Sequence, residues 1–519
     1  MMNKFLPGFI FLIVICYNAH SQENLVELNI ESDYQGWGWE TLVIHNNLIT
    51  VAVVPSIGGR IMQYCIGTDT IMRVNESLFG EVFYDGGSGP WNGTWGYGAY
   101  KTWPAPQSEW GWPPPPTLAW GNYEYEILKE TEDTVSIWLQ GETETELTPG
   151  LRFDRYIEVY SNSTKVKITT HLYNENEDEQ SWSIWDVTQQ IVQHENEGDY
   201  SNFSVYFPVE SSSDVWPAGS VPDRGEITPG VYKVNYSPQD GKIFARVNEG
   251  WACFVDERDQ QSYAKVFNIN PDNTYPDDGA MVEVYTSGSS DYLELEVLSP
   301  IEAIGPLGDD MKFTEYWYAT KSDGPVHFAG EAGMLKTPLN YNTESNMLTG
   351  EFGAYHNGSF EILFLDETST ILQVADTYVA DPMIPVNLNL NAELAENTRY
   401  IEIRSYNQSD DYLGILDRLD LDAVVASPEL TINNETQIRL WPGVIESGGD
   451  LNIQLSGYGQ QFTRLEILSI NGSVVYQDYF KISGNTSRLT IDLPYISGGI
   501  YFVRFTGNKR SLTEKFIVK

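Results

Sequence analysis

Glu294 and Glu296 stand two residues apart in the run Tyr292-Leu-Glu-Leu-Glu-Val-Leu298. Strand side chains alternate, so both carboxyls project from one face. Such a pair can act as general acid and base, or grip sugar hydroxyls through charge-assisted hydrogen bonds. Hydrolysis with retention needs two carboxyls roughly 5 Å apart, and inversion a gap of about 6.5 to 9.5 Å. A second set of residues suits another reaction. Tyr100 and Lys101 open a tryptophan-rich stretch, Arg60 follows a Gly-Gly turn, and His171 falls on the polar face of the strand-like run Val166–Leu172. β-Elimination from a uronic acid requires a base that takes the proton beside the carboxylate and a cation that stabilises the developing enolate. Tyr100, Lys101, His171 and Arg60 are of suitable types. Each also has a plainer reading: Arg60 as the structural partner of a buried carboxylate, Lys101 as a solvated side chain, and His171, like His45 and His194, as structural or solvated.

The stretch around Lys101 holds six tryptophans, Trp91, Trp95, Trp103, Trp110, Trp112 and Trp120, among Gly, Pro and Tyr. Proline removes backbone donors and fixes φ, so Lys101–Thr117 predicts a long, stiff loop rather than a helix or a central strand. Flat indole faces stack on the apolar C–H side of a sugar ring and add an N–H donor. Trp103, Trp110 and Trp112 are therefore candidate substrate-binding residues, the alternative being that the indoles pack inward as a satellite core. Asn270-Pro-Asp-Asn-Thr-Tyr-Pro-Asp-Asp-Gly279 is a loop of hard oxygen donors. It lacks the ligand order of an EF-hand, so an acidic turn is the better reading. No metal ligand is assigned, and calcium is the one cofactor left open.

These residues sit in a chain of 519 with 30 basic and 73 acidic side chains, a net charge of −43. That balance argues against nucleic acid as a partner and weakens the case for an anionic membrane surface. A polyanionic substrate would have to be met by a local basic patch. The first 21 residues carry a basic start, an apolar run from Phe5 to Cys16 and a small-residue exit, and read as a secretory signal. Past it only Cys65 and Cys253 remain, so the fold does not rest on a disulfide framework.

Between Leu25 and Lys336 the sequence is a succession of short alternating runs, among them Leu48–Val54, Thr134–Leu139, Tyr156–Tyr160 and Tyr292–Leu298. They predict a large β-sandwich with a sheet face free for a ligand. A smaller set follows at residues 337–427, with Ser359–Leu365, Ile384–Leu390 and Tyr400–Tyr406 as strands. It predicts a small β-sandwich, either a carbohydrate-binding jelly-roll or a spacer. The last stretch, 428–519, alternates again in Leu451–Leu455, Leu465–Ile470, Leu489–Leu493 and Gly499–Phe505.

Two resemblances attach to these patterns. Ser469-Ile-Asn-Gly-Ser473, Ser497-Gly-Gly-Ile-Tyr-Phe-Val503 and the basic terminal strand resemble the C-terminal sorting domain of the type IX secretion system, with Trp441-Pro-Gly443 where an Asn-Pro is usual. That resemblance implies an immunoglobulin-like domain, handling by the outer-membrane secretion machinery, and arrival at the cell surface or outside. The second rests on Val54-Pro-Ser-Ile-Gly-Gly-Arg-Ile61, the Trp loop, the paired runs Phe153–Tyr160 and Val166–Asn174, Ser183-Ile-Trp-Asp-Val-Thr-Gln189, and Tyr292–Pro300 with Glu315-Tyr-Trp317. From about Leu25 to Lys336 this order is similar to galactose mutarotase-like proteins, which implies a β-supersandwich domain, 22–336, that binds sugars. Trp185, in the Ser183–Gln189 block, joins Arg60 and the loop tryptophans as a substrate-binding candidate. Aldose epimerases of that superfamily carry a catalytic histidine where this block has none, and a late glutamate for which Glu294 or Glu296 would stand. The sequence reading is therefore an exported, all-β enzyme that degrades a polysaccharide, with a lyase acting on a uronic-acid polymer ahead of a glycoside hydrolase. A non-catalytic glycan-binding protein and an epimerase of released oligosaccharides are the alternatives. Its partners would be a polysaccharide or oligosaccharide and the secretion machinery.

Overall fold

The computed structural model describes residues 25–83, 89–192, 202–220, 222–288 and 290–421, and, toward the C-terminus, 437–441, 444–445, 450–456, 461–469, 474–482, 486–493, 496–507 and 510–519. The signal at 1–21, His194 and Pro442-Gly443 lie outside them. The chain divides into two compact units, Met1–Leu419 and Asp420–Lys519.

The larger unit is all-β, as the alternating runs predict. Its body pairs a ten-stranded sheet, which includes Gln261–Phe267, Asp309–Thr320, Val166–Asn174 and Leu151–Tyr160, with a seven-stranded one. The second runs in the order Val215–Gly219, Gly241–Ala245, Val282–Ser287, Tyr292–Leu298, Gln180–Ile191, Glu302–Ile304, and Tyr100–Ala105 pairs onto Gln180–Ile191. One apolar core joins them: Leu293, Leu295 and Val297 from one sheet share it with Ile157, Val159, Val166 and Ile168 from the other. Period-two alternation explains this, since the residues between them, Glu294 and Glu296, are thereby turned to the opposite face. A five-stranded sheet over residues 27–70 adds Leu42, Val51, Val53 and Ile61 to the same core. Two four-stranded sheets over residues 328–420 make the small sandwich, closed by Phe360, Ile362, Leu388 and Ile403.

In the smaller unit, sheets of three and five strands bury Leu451, Ile453, Leu465, Ile467, Val503 and Phe516. Its last strand, Arg510–Val518, pairs antiparallel with Gly499–Gly507 and parallel with Val444–Ile445.

The tryptophan stretch departs from expectation. Tyr100–Ala105 is a fully buried strand, and Pro116–Trp120 a short helix, where the prolines predict a continuous loop. Pro104 is tolerated because the strand pairs on one side only, along Gln180–Ile191, so its missing N–H interrupts no second ladder. Pro116 opens the helix at the position where an N–H has no intrahelical partner anyway.

Candidate functional site

Register decides which side chains meet. In the ladder of Gln180–Ile191 with Tyr292–Leu298, Gln189 stands opposite Glu294 and Val187 opposite Glu296; on its other flank Lys101 stands opposite Val187 and Trp103 opposite Trp185. Lys101, Trp103, Trp185, Gln189, Glu294 and Glu296 thus share one face of the seven-stranded sheet. Residues one step out of phase, Tyr100, Asp186 and Leu295, point into the core. Lys242 and Glu283 join the first face from the next two strands, Glu283 standing opposite Glu296.

This face floors a cavity of about 720 Å³. Its walls are aromatic: Trp91, Trp95, Trp103, Trp112, Trp185, Tyr285 and Tyr292. The indoles hold one another edge to face, Trp103 against Trp185 at 5.2 Å and Trp91 against Trp112 at 5.7 Å between centroids. Trp112 is 58 % exposed and stands at the mouth. The 89–99 segment that supplies Trp91 and Trp95 needs Gly98 at φ +88°, because a Cβ there would collide with the Arg73 carbonyl oxygen.

The floor is ionic. Lys101 Nζ donates to Glu294 Oε1 at 2.7 Å, and Gln189 Nε2 donates to the same oxygen at 2.9 Å. Trp185 Nε1 donates to Glu296 Oε2 at 2.6 Å, and Lys242 Nζ reaches that oxygen at 3.0 Å and Glu283 Oε2 at 2.5 Å. Lys242 Nζ also lies 4.5 Å from the centroid of Trp185, and Lys101 Nζ 5.1 Å from that of Trp103. Of the three carboxyls, Glu294 alone retains exposure, 11 % of its side chain against 1 % for Glu296 and 0 % for Glu283. Burial pulls the Lys101 ammonium below its ordinary pKa, the Glu294 carboxylate opposing. It pushes Glu296 up, and Glu283 well above the usual carboxylate range, with Lys242 opposing in both.

Six of the ten candidates from sequence therefore meet at the cavity: Lys101, Glu294, Glu296, Trp103, Trp112 and Trp185. Four do not. Tyr100 is wholly buried on the core side, 5.0 Å from Trp317 between ring centroids, with its phenol raised well above its ordinary pKa by burial. His171 is on the ten-stranded sheet, with Nδ1 2.6 Å from Asp310 Oδ2 and its ring stacked on Tyr173. Arg60 is fully buried and donates to the carbonyls of Ile57, Gly98 and Ala119, so its partners are backbone oxygens rather than a carboxylate. Burial lowers its pKa to about 9. Trp110 is buried with its N–H donating to Pro104 O at 2.8 Å. His45 lies near Glu27 on the first sheet, 3.8 Å away.

Sequence reasoning missed Lys242, Glu283 and Gln189. A signal existed: Gly241-Lys-Ile-Phe and Val282-Glu-Val-Tyr place a charge on an alternating strand, and basic residues are scarce in this chain. The loop at 270–279 closes on itself, Asn270 Nδ2 donating to Asn273 Oδ1 and the Asp272 N–H to Asn270 Oδ1. Among the described residues no group of three or more His, Cys, Asp or Glu is placed to hold a metal ion. Cys65 and Cys253 are both buried and unpaired with each other.

Residues 447–519 match a family model described as a secretion system C-terminal sorting domain. The chain is accordingly exported by the type IX route to the cell surface or beyond, and the secretion machinery is a partner. Among solved structures, the chain is similar to a galactose mutarotase-like protein from Clostridium acetobutylicum at 12 % identity and TM-score 0.37, covering 57 % of this chain and 98 % of that one. It is also similar to a galactose mutarotase related enzyme from Lactobacillus acidophilus, at 10 % identity and TM-score 0.35, over 55 % of this chain and 98 % of that one. A galactose mutarotase-like protein from Lactobacillus casei gives 9 % identity and TM-score 0.34, over 54 % and 99 %. These are distant likenesses. No curated protein matches the sequence. The model for the domain of unknown function DUF4380 matches residues 40–320, which hold both large sheets and every residue of the cavity, and the chain belongs to that family.

Proposed function

We propose that this exported protein is a carbohydrate-active enzyme that holds a saccharide in the aromatic cavity and transfers a proton on it, with Glu294 as base and Lys101 as acid. One observation carries the reading: Glu294, the accessible carboxyl of the floor, lies 2.7 Å from the Lys101 ammonium beneath walls of indole. Indole faces suit the C–H side of a sugar ring, and a carboxylate beside an ammonium supplies base and acid within one proton jump. Burial lowers the Lys101 pKa, which makes its ammonium the readier donor.

An eliminative mechanism built on Tyr100, Lys101 and His171 has only Lys101 at the cavity, whereas both carboxyls of a hydrolytic pair, Glu294 and Glu296, line it, so hydrolysis is the reading we put ahead of the lyase. Export supports a polymer as the substrate. The second reading is a glycan-binding protein without turnover, favoured by Lys101 and Glu294 already neutralising each other. The test is to incubate the mature protein with neutral and uronic polysaccharides, following reducing ends, the ultraviolet absorbance of a conjugated uronate, and anomer exchange. New ends without absorbance are expected. Absorbance would restore the lyase, binding without turnover would leave the glycan-binding protein, and faster anomer exchange at constant chain length would make it an epimerase.

Trp112→Ala is expected to weaken saccharide binding by about 0.5–1.5 kcal/mol, the worth of one aromatic contact, with only a small drop in melting temperature, because the side chain is mostly exposed and its indole contacts are at the mouth. Titration calorimetry beside a thermal melt checks both halves. A lowered melting temperature with unchanged affinity would make Trp112 a packing residue.

A further inference from the structure

Two cations line the cavity, Lys101 and Lys242, and among the described residues no other Lys or Arg does. Both are engaged. Lys101 is paired with Glu294, and Lys242 bridges Glu283 and Glu296 at 2.5 and 3.0 Å. Whatever the protonation of Glu283, the two cations face at least two carboxylates once Glu294 and Glu296 are ionised. From this balance, and resting on the saccharide reading of the cavity, we propose that it takes an uncharged saccharide segment and rejects uronate- and sulfate-bearing ones, with Glu294 and Glu296, the carboxyls that hold the two cations, setting this preference.

Glu283 is wholly buried behind the cavity floor and outside the cavity lining, so it acts through Lys242 and not on the ligand. It stands directly opposite Glu296 on the neighbouring strand, where like charges repel unless a cation lies between them. Lys242 fills that place, and its ammonium is further pinned over the Trp185 ring, whose own N–H is committed to Glu296. A ligand carboxylate could recruit Lys242 only by drawing it off two carboxyls, and Lys101 only by displacing Glu294. A sugar hydroxyl both donates and accepts, so it can bond to the rim of this network without breaking an ion pair.

The test uses the full mature chain and two probe sets of equal length, neutral gluco-, manno- and xylo-oligosaccharides and the corresponding oligouronates. Binding is read by calorimetry and by intrinsic fluorescence of the cavity tryptophans, at low and high salt. Neutral probes are expected to bind with little dependence on salt, and oligouronates at least about tenfold more weakly, because like charges oppose them. Glu296→Gln, which takes a carboxylate from Lys242, is expected to narrow that gap. Since a fully buried position can disturb folding, Glu294→Gln is the second variant. It leaves Lys101 without a counter-charge and is expected to raise oligouronate affinity about tenfold relative to that of the neutral probes. Oligouronates that bind the unaltered protein as tightly as neutral probes, or a Glu294→Gln protein with an unaltered gap, would overturn the inference and leave the saccharide reading intact. Silence toward every probe would overturn the saccharide reading itself.

Discussion

Glu294→Gln is expected to lower kcat by about 10²- to 10⁴-fold, the range over which a positioned general base acts, while neutral-saccharide affinity stays within a few-fold. The amide is isosteric with the carboxyl and keeps an oxygen for Lys101 and Gln189, which bond to the same atom at 2.7 and 2.9 Å. What it loses is the capacity to take a proton. A pH profile separates the partner's role. Lys101 must be protonated to act as acid, and burial holds its pKa below the ordinary lysine value. Activity should therefore fall as pH rises through that lowered value, earlier than an exposed lysine would dictate. Full turnover in the Glu294→Gln protein would remove Glu294 from the chemistry. An alkaline limb at the ordinary lysine value would remove Lys101.

Lys265→Met is expected to destabilise the larger unit by about 3–5 kcal/mol, the effect of breaking a buried ion pair from one side. Lys265 Nζ is fully buried between the two large sheets, bonded to Asp186 and 3.8 Å from Glu315, with Tyr100 and Trp317 around it. Without it two carboxyls are left in the core with no cation. Adding Asp186→Asn should recover part of the loss, because it removes the carboxylate to which Lys265 is bonded. Urea unfolding followed by tryptophan fluorescence measures both, since all the tryptophans but Trp441 lie before residue 420. A loss under about 1 kcal/mol would mean that water or a rearrangement replaces the ammonium.

The same cluster sets a pH dependence. Burial, reinforced by Asp186, raises the Glu315 pKa well above the carboxylate range, so the folded state binds this proton more tightly than the unfolded chain. Its contribution is fully present below the ordinary glutamate value and is lost as pH rises through the folded one. Stability should thus decline toward alkaline pH, and Glu315→Gln, which carries no titrating proton, should flatten the decline.

How far the sequence reached is clearest at Glu294 and Tyr100. Alternation in Tyr292–Leu298 alone put Glu294 and Glu296 on one face, and both line the cavity. Adjacency misled at Tyr100-Lys101, because neighbours on a strand point to opposite sides, and the strand was masked by prolines that read as a loop. Arg60 followed a Gly-Gly turn in either setting; only the fold shows that its donors end on three carbonyls.

By itself the sequence determined the β class, through period-two alternation, and the export route, through the terminal sorting pattern. It also supplied the aromatic and acidic side chains that the cavity uses. Tertiary structure alone decided which of them meet. Lys101 and Glu294 are 193 residues apart, and Lys242 and Glu296 are 54 apart. Ladder register between strands so distant is set by burial of the opposite faces in a shared core, and no local spacing encodes it.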